Sequence, residues 1–421
     1  MEQVKKHESN VRGYSRSFPV TFTSANGAVI HDTDHKQYID FLAGAGALNY
    51  GHNNPFFKMK LMDYIDKNGV THGLDLSTEA KEHFINIFNK YILEPRELKY
   101  KMQFTGPTGT NTVEAAIKLA QIVTGRTNII TFTNGYHGHS KGALRLTANA
   151  HYRKGLENEL NQFTTFIPYY GFLDGDFDSA DYLDKILSDS GSGTDIPAAI
   201  ILETIQGEGG VNIAPKEWLQ KLRRITEKHD ILMIVDDIQV GCGRTGNFFS
   251  FEDAGIYPDM VTLSKSLSGY GLPMSLLLIK PEIDDWKPGQ HTGTFRGNNL
   301  AFVTAAEAII KYWKDDEFTK ETLAKSSKLL RILKQIGEDH KEIITDVRGK
   351  GLIAAVECTD AETASSITAE AFDNGLIIET CGSNGNIIKF LPPLNIHDNY
   401  LNEGIKIFEQ AVQSINKVEL V

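Results

Sequence analysis

The sequence predicts an α/β protein. A large unit is built on a mostly parallel sheet flanked by helices, and a smaller α+β unit is drawn from both chain ends. Three observations carry that reading. From about Lys101 onward, short apolar runs alternate with helical segments over roughly 200 residues, the pattern of helices laid on both faces of a parallel sheet. Two of the runs, AAIILE (Ala198–Glu203) and ILMIVD (Ile231–Asp236), begin with unbroken apolar stretches, as in strands buried on both faces. Finally, 421 residues exceed what one hydrophobic core sustains, so two units are expected.

Along the chain, GAVIHDTDHKQYIDF has two short apolar runs around the turn signal Asp32-Thr33-Asp34 and reads as β. VEAAIKLAQIV (Val113–Val123) has helical spacing, and NIITF (Asn128–Phe132) reads as a strand. MVTL (Met260–Leu263) and SLLLI (Ser275–Ile279) are further strands, before a long helical stretch near Asn299–Lys314. Amphipathic helices and a few strands follow, GLIAAVEC and NIIKFL being the clearest. Residues 61–325 are therefore assigned to the large unit, and residues 1–60 with 326–421 to the small one.

Apolar residues make up 41% and charged residues 23%, as in ordinary soluble proteins. A net charge of -11 argues against nucleic acid or an anionic membrane as partner. Cys242, Cys358 and Cys381 form no C-x-x-C, which fits a reducing compartment without a disulfide framework or structural zinc. MEQVKKHESN lacks an apolar signal core, and no apolar run approaches a membrane span, so a cytoplasmic location is expected.

In such sheets ligands bind beyond the carboxyl ends of the strands, and four features fall there. In TGPTGTNTVEAA, Gly109-Thr110 leads into a helix whose Asn111 and Glu114 have capping-box spacing. Free N–H groups at a positive helix end suit phosphate; a well-capped helix after a glycine loop accounts for the same residues. Asp236-Asp237 end an apolar strand, so one of the two faces the site, unless both are solvated in a loop. NGYHGHS (Asn134–Ser140) offers Tyr136 to a planar ligand or forms a plain turn; its two histidines lack a third metal ligand. Lys265, in DMVTLSKSLSGYG, either points into water or faces the site as a nucleophile for a carbonyl. Phosphate site, carboxylate, aromatic ring and amine together describe pyridoxal 5′-phosphate. By contrast, Gly241-x-Gly243-x-x-Gly246 matches a dinucleotide fingerprint but precedes NFFSFEDAG rather than an apolar helix, so that reading is rejected.

The motifs YGHNNP, TGPTGTNTVEAAIKLA, GYHGHS, ETIQGEGG, IVDDIQVGCGRTG, LSKSLSGYG, GTFRGNN and FLPPL, in this order, resemble the class III (fold type I) pyridoxal-phosphate-dependent aminotransferases over nearly the whole chain. The resemblance implies that Lys265 bonds the cofactor and Asp236 meets its ring nitrogen. It places Gln239 near the ring's phenolic oxygen, Gly109 and Thr110 on the phosphate, and Tyr136 on the ring. Thr294 matches a threonine that reaches the phosphate from a second subunit, which implies a homo-oligomer with sites at the dimer interface. Within the family, NVRGYSRSFP, HGLDLSTEAK and GYGLPM are similar to the branch of ectoine biosynthesis, a compatible-solute pathway. That branch moves the amino group of L-glutamate to L-aspartate 4-semialdehyde by a ping-pong route, giving L-2,4-diaminobutyrate and 2-oxoglutarate. Ornithine, 4-aminobutyrate and aminomutase branches are the alternatives.

Two positions depart from the family. Its switch pairs an acid, matched by Glu208, with a C-terminal arginine; here that position is Lys389. A second arginine position holds His139. Lysine lacks the bidentate fork of arginine, and histidine is largely neutral at pH 7. The glutamate carboxylates are therefore expected to use Lys389 or one of Arg12, Arg244 and Arg296, unless Lys389 is a surface residue on an edge strand.

Overall fold

The computed structural model describes residues 1–419, with side chains through Ile415, so the last two residues of the expected small unit lie outside it. Its centre is a seven-stranded sheet in the order Lys101–Phe104, Leu276–Ile279, Met260–Leu263, Leu232–Asp236, Ala199–Leu202, Ile129–Phe132, Thr164–Ile167. Only Leu276–Ile279 runs against the others, pairing antiparallel on both sides. The unbroken apolar runs occupy the middle, and Ile200, Ile201, Met233, Ile234 and Val235 are all fully buried, as strands covered on both faces must be.

Helices cover both faces through apolar stripes at helical spacing. In Lys216–Lys228, Trp218, Leu222 and Ile225 turn inward while the lysines point out. Asn299–Tyr312 packs on Glu79–Phe88, where Phe84 and Phe302 stack with ring centroids 5.5 Å apart. Each ring is essentially inaccessible, a burial worth about 1.5–3 kcal/mol apiece.

The helix Gly109–Thr124 begins one turn earlier than its expected cap. Thr108 is the N-cap and Asn111 completes the box. Glu114 instead accepts hydrogen bonds from the Ser140 hydroxyl and the Ala143 amide (3.0 Å for the latter), tying the helix to the following loop.

Two smaller sheets flank this unit. One contains Phe22–Asn26, Val29–Asp32 and Gln37–Asp40, with Leu376–Ile377 added parallel to the last, so distant segments of the chain share a sheet. The other has the order Ile344–Lys350, Ile353–Cys358, Ile387–Phe390, Glu379–Cys381. Ile387–Phe390 is thus an interior strand, and Lys389 on it is fully buried; the surface-lysine alternative is overturned. Among the described residues, no helix is long and apolar enough to cross a membrane.

Candidate active site

A cavity of about 510 Å³ opens where the parallel strands end. It is lined from the helix start by Thr108, Gly109 and Thr110, from the loop after Ile129–Phe132 by Tyr136, His137 and His139, and from later strand ends by Glu203, Asp236, Gln239 and Lys265. Most of the sequence-predicted site residues are thereby brought together. Gly109 is held bare by crowding, since a Cβ there would come within 2.8 Å of Ile238 Cδ1. Its amide and that of Thr110 lie in the first turn of a 16-residue helix, where backbone N–H groups have no partner within the helix.

Of the adjacent aspartates, Asp236 lines the cavity and Asp237 turns away. Asp236 Oδ2 lies 2.7 Å from Nδ1 of buried His137, and its Oδ1 accepts hydrogen bonds from the Thr262 hydroxyl (3.1 Å) and the Ile238 amide (3.2 Å). Burial disfavours the His137 imidazolium, but its bond to Asp236 outweighs this and raises its pKa. Asp237 Oδ2 accepts from the Ser250 amide at 3.1 Å, while Oδ1 has no partner; burial pushes this carboxyl up to about 7. Glu203 also reaches the cavity. It accepts hydrogen bonds from the Tyr136 amide at 2.9 Å and the Gly207 amide at 3.1 Å, and burial raises it to about 7.

Lys265 follows the strand Met260–Leu263 with φ of 46°, a left-handed conformation that L residues seldom adopt. Its Nζ donates to Ala45 O at 2.9 Å, and burial lowers its pKa, which favours the neutral amine. Gln239 Nε2 donates to Ala45 O and to Glu208 Oε1, each at 3.0 Å. Glu208 Oε1 also receives Lys389 Nζ at 2.6 Å. Burial alone would raise Glu208, but Lys389 and Lys265 hold its carboxyl well below the usual range. On the far side of Lys389, Glu379 Oε1 lies 3.1 Å away.

Other candidates stand apart. Arg244 does not line the cavity. It is fully buried, donating to Leu352 O at 2.8 Å, to Pro392 O at 2.5 Å and to Asn49 Oδ1 at 2.6 Å, which makes it a brace between segments and corrects its assignment to substrate. Arg12 lies in the N-terminal segment and Arg296 bonds to His291 O, both outside the cavity lining. Thr294 is exposed, beside Phe295, and reaches no part of this chain's cavity. Sequence reasoning passed over Glu203 and Glu379, and weighed His137 only as half of a metal site. Glu203 ends an apolar run just as Asp236 does, a signal that was present. His137 and Glu379 gave none, because their partners come from remote segments.

Amine, carboxylate and helix amides converging at strand ends are the donor set of a pyridoxal-phosphate enzyme. The chain belongs to the family described as aminotransferase class-III, whose profile matches residues 11–412. It is 53% identical over 406 residues to the diaminobutyrate–2-oxoglutarate transaminase of Bordetella parapertussis, covering 96% of this chain and 93% of that one. It is 51% identical over 417 residues to the protein of the same name from Halomonas elongata, covering 97% and 98%. In fold it resembles the ornithine aminotransferase of Toxoplasma gondii ME49, with a TM-score of 0.84 at 24% identity over 99% of this chain and 94% of that one. The cofactor of this family is pyridoxal 5′-phosphate, and the donor set fits it. Helix amides suit the phosphate, buried Asp236 a ring nitrogen and Lys265 an aldehyde.

Proposed function

We propose that this aminotransferase moves the amino group of L-glutamate to L-aspartate 4-semialdehyde, giving L-2,4-diaminobutyrate and 2-oxoglutarate, in the cytoplasmic synthesis of ectoine. The observation that carries it is the Glu208–Lys389 pair beside Lys265. A site serving both substrates must accept an α-carboxylate at the reacting carbon in one half-reaction and do without it in the other. Glu208 lines the cavity and Lys389 lies buried directly behind it, so a cation bonded to an acid that can let go, and uncover it, meets that need. The names of relatives more than half identical to this chain support the substrate pair.

When bound, pyridoxal 5′-phosphate supplies the aldehyde that condenses with an amine and the ring that takes up the electrons released at the substrate carbon. Asp236, fixed by His137 and Thr262, would present its carboxylate to the ring nitrogen. The Gly109 and Thr110 amides would hold the phosphate, Tyr136 would lie against the ring, and Gln239 would stand by the phenolic oxygen, all four residues lining the cavity. Lys265 Nζ, made more easily neutral by burial, takes the proton from the substrate carbon as general base. Lys389 receives the α-carboxylate of glutamate when Glu208 yields, and stays with Glu208 when the reacting carbon bears none. Ping-pong kinetics follow.

A homodimer with shared sites is part of this reading. Phe295, beside exposed Thr294, is exposed with its ring against His72, and Leu74, whose carbonyl lies close to Gly297, is exposed as well. Such an apolar face marks an association surface. The deciding experiment is an amino-donor screen against 2-oxoglutarate with diaminobutyrate, ornithine and 4-aminobutyrate side by side. A preference for either of the last two refutes the proposed substrate, and turnover without any acceptor indicates a mutase.

A further inference from the structure

Lys389 is held by two carboxylates, and only Glu208 belongs to the switch described above. The two are mounted differently. Glu208 sits in a loop between Gly207 and Gly209-Gly210, its backbone held by the Gly382 amide on its carbonyl at 3.0 Å, so what can swing away from Lys389 is its flexible side chain. Glu379 lies directly opposite Lys389 in the register of neighbouring strands. Its Oε2 accepts the Tyr14 hydroxyl at 3.1 Å, while Oε1, 3.1 Å from Lys389 Nζ, accepts no hydrogen bond. Its side chain is only 10% exposed and that of Lys389 is 0%.

We propose that Glu379 is a positioning residue for the amino donor: it keeps Lys389 in place and charged while Glu208 gives way to the α-carboxylate of glutamate. The inference rests on the Glu208–Lys389 switch and names what that switch needs. A buried cation that loses its only partner is costly, by several kcal/mol or so, and a buried lysine escapes the cost by shedding its proton. With Glu379 behind it, the ammonium retains one partner throughout the exchange. An arginine would need less help, because a guanidinium stays protonated and its fork serves two partners. In this chain the lysine comes with a second carboxylate. Diaminobutyrate brings no carboxylate to the reacting carbon, so Glu208 stays bonded and Glu379 is not called upon.

The groups around Lys389 leave this role to Glu379 alone. The strand on its other side contributes Ala355, which does not titrate. Cys381 is pushed up to about 12 by burial, Tyr14 and Tyr152 are raised by burial, and Lys265 is a second base rather than an acid. Burial and the nearby Glu208 raise the Glu379 carboxyl while Lys389 works against that rise, and Glu208 and Glu379 are the two carboxylates in contact with the ammonium.

The test uses the cofactor-loaded enzyme. Single-turnover rates for glutamate and for diaminobutyrate are measured in Glu379→Gln, Tyr14→Phe, Lys389→Ala and the double variant Glu379→Gln/Lys389→Arg. Calorimetry follows 2-oxoglutarate binding to the aldehyde form across pH, a readout independent of turnover. Glu379→Gln is expected to lower the glutamate-to-diaminobutyrate rate ratio by about tenfold or more, as loss of one partner of a buried cation requires. It weakens 2-oxoglutarate in parallel and moves the alkaline limit of binding to lower pH. Tyr14→Phe shifts the ratio less, in the same direction, and the double variant restores it through the permanently charged guanidinium. A ratio unchanged in Glu379→Gln but lowered in Lys389→Ala overturns this inference and leaves the switch standing. An unchanged ratio in Lys389→Ala removes the switch itself, and the inference with it. Equal losses in both half-reactions, with no rescue by arginine, show Glu379 to be merely structural and also overturn it.

Discussion

Asp237→Asn is expected to stabilise the protein, and to do so more at alkaline pH. The native Asp237 carboxyl is buried, with one oxygen bonded to the Ser250 amide and the other unpartnered; Asp236 and Glu252 add repulsion to the effect of burial. Its pKa rises from 3.8 to about 7. Between those values the native state holds a proton that the unfolded chain has lost, so stability falls as pH rises, by about 1.36 kcal/mol per pH unit at most. Above pH 7 the penalty is constant; between pH 5 and pH 7 it grows by up to ~3 kcal/mol. Asparagine can keep the Ser250 bond through its own oxygen and sets an uncharged amide where the orphan oxygen was. Thermal unfolding of the two proteins at fixed concentration, near pH 5 and about pH 8.5, should show a gain of a few degrees that widens at the higher pH. A variant destabilised by the same amount at both values would mean that Asp237 is ionised and paired in the native protein, and the reasoning would fail.

Lys265→Ala should abolish transamination and the mass increase left by borohydride reduction of the cofactor-loaded protein; a reduced adduct retained on the variant would place the attachment at another residue. His137→Phe removes the partner 2.7 Å from Asp236 and should lower kcat by roughly 10- to 100-fold, the value of one hydrogen bond to a charged group. Unchanged kcat would show that Asp236 is oriented without it. Thr294→Ala should weaken pyridoxal 5′-phosphate binding several-fold, about one hydrogen bond, in an assembly of at least two chains by light scattering. Unaltered cofactor affinity, or a monomer fully loaded with cofactor, would remove Thr294 from the site.

What the sequence disclosed follows from how each signal is encoded. Buried parallel strands announce themselves as unbroken apolar runs, and a polar residue where such a run stops must lie at a strand end. Asp236, Lys265 and Tyr136 were legible for that reason, and they meet in the cavity. Pairings between remote segments leave no local trace: His137 and Asp236 are 99 positions apart, and Tyr14 and Glu379 are 365 apart. Glu379 lies on a strand of three residues, too short to display the alternation that reveals which way a side chain faces. Arg244 was singled out for its charge, but charge carries no direction, and three acceptors in the interior take its guanidinium instead.

The serines on either side of Lys265 show how local sequence and remote contacts combine. A non-glycine residue at φ of 46° costs on the order of 1–3 kcal/mol and persists only where its surroundings impose it. Ser264 donates from its hydroxyl to Met274 O at 2.7 Å, and Ser266 to Gly46 O at 2.8 Å while accepting the Asn49 amide at 3.0 Å. The turn is thereby fastened on both sides of the lysine. The carbonyl that receives Lys265 Nζ, Ala45 O, belongs to the same loop that Ser266 grips. One small hydroxyl thus couples the backbone of the reactive residue to the wall its amine rests on. A larger side chain at either position would exchange those bonds for steric pressure on an already strained turn, which is why a lysine at this strand end is flanked by serines.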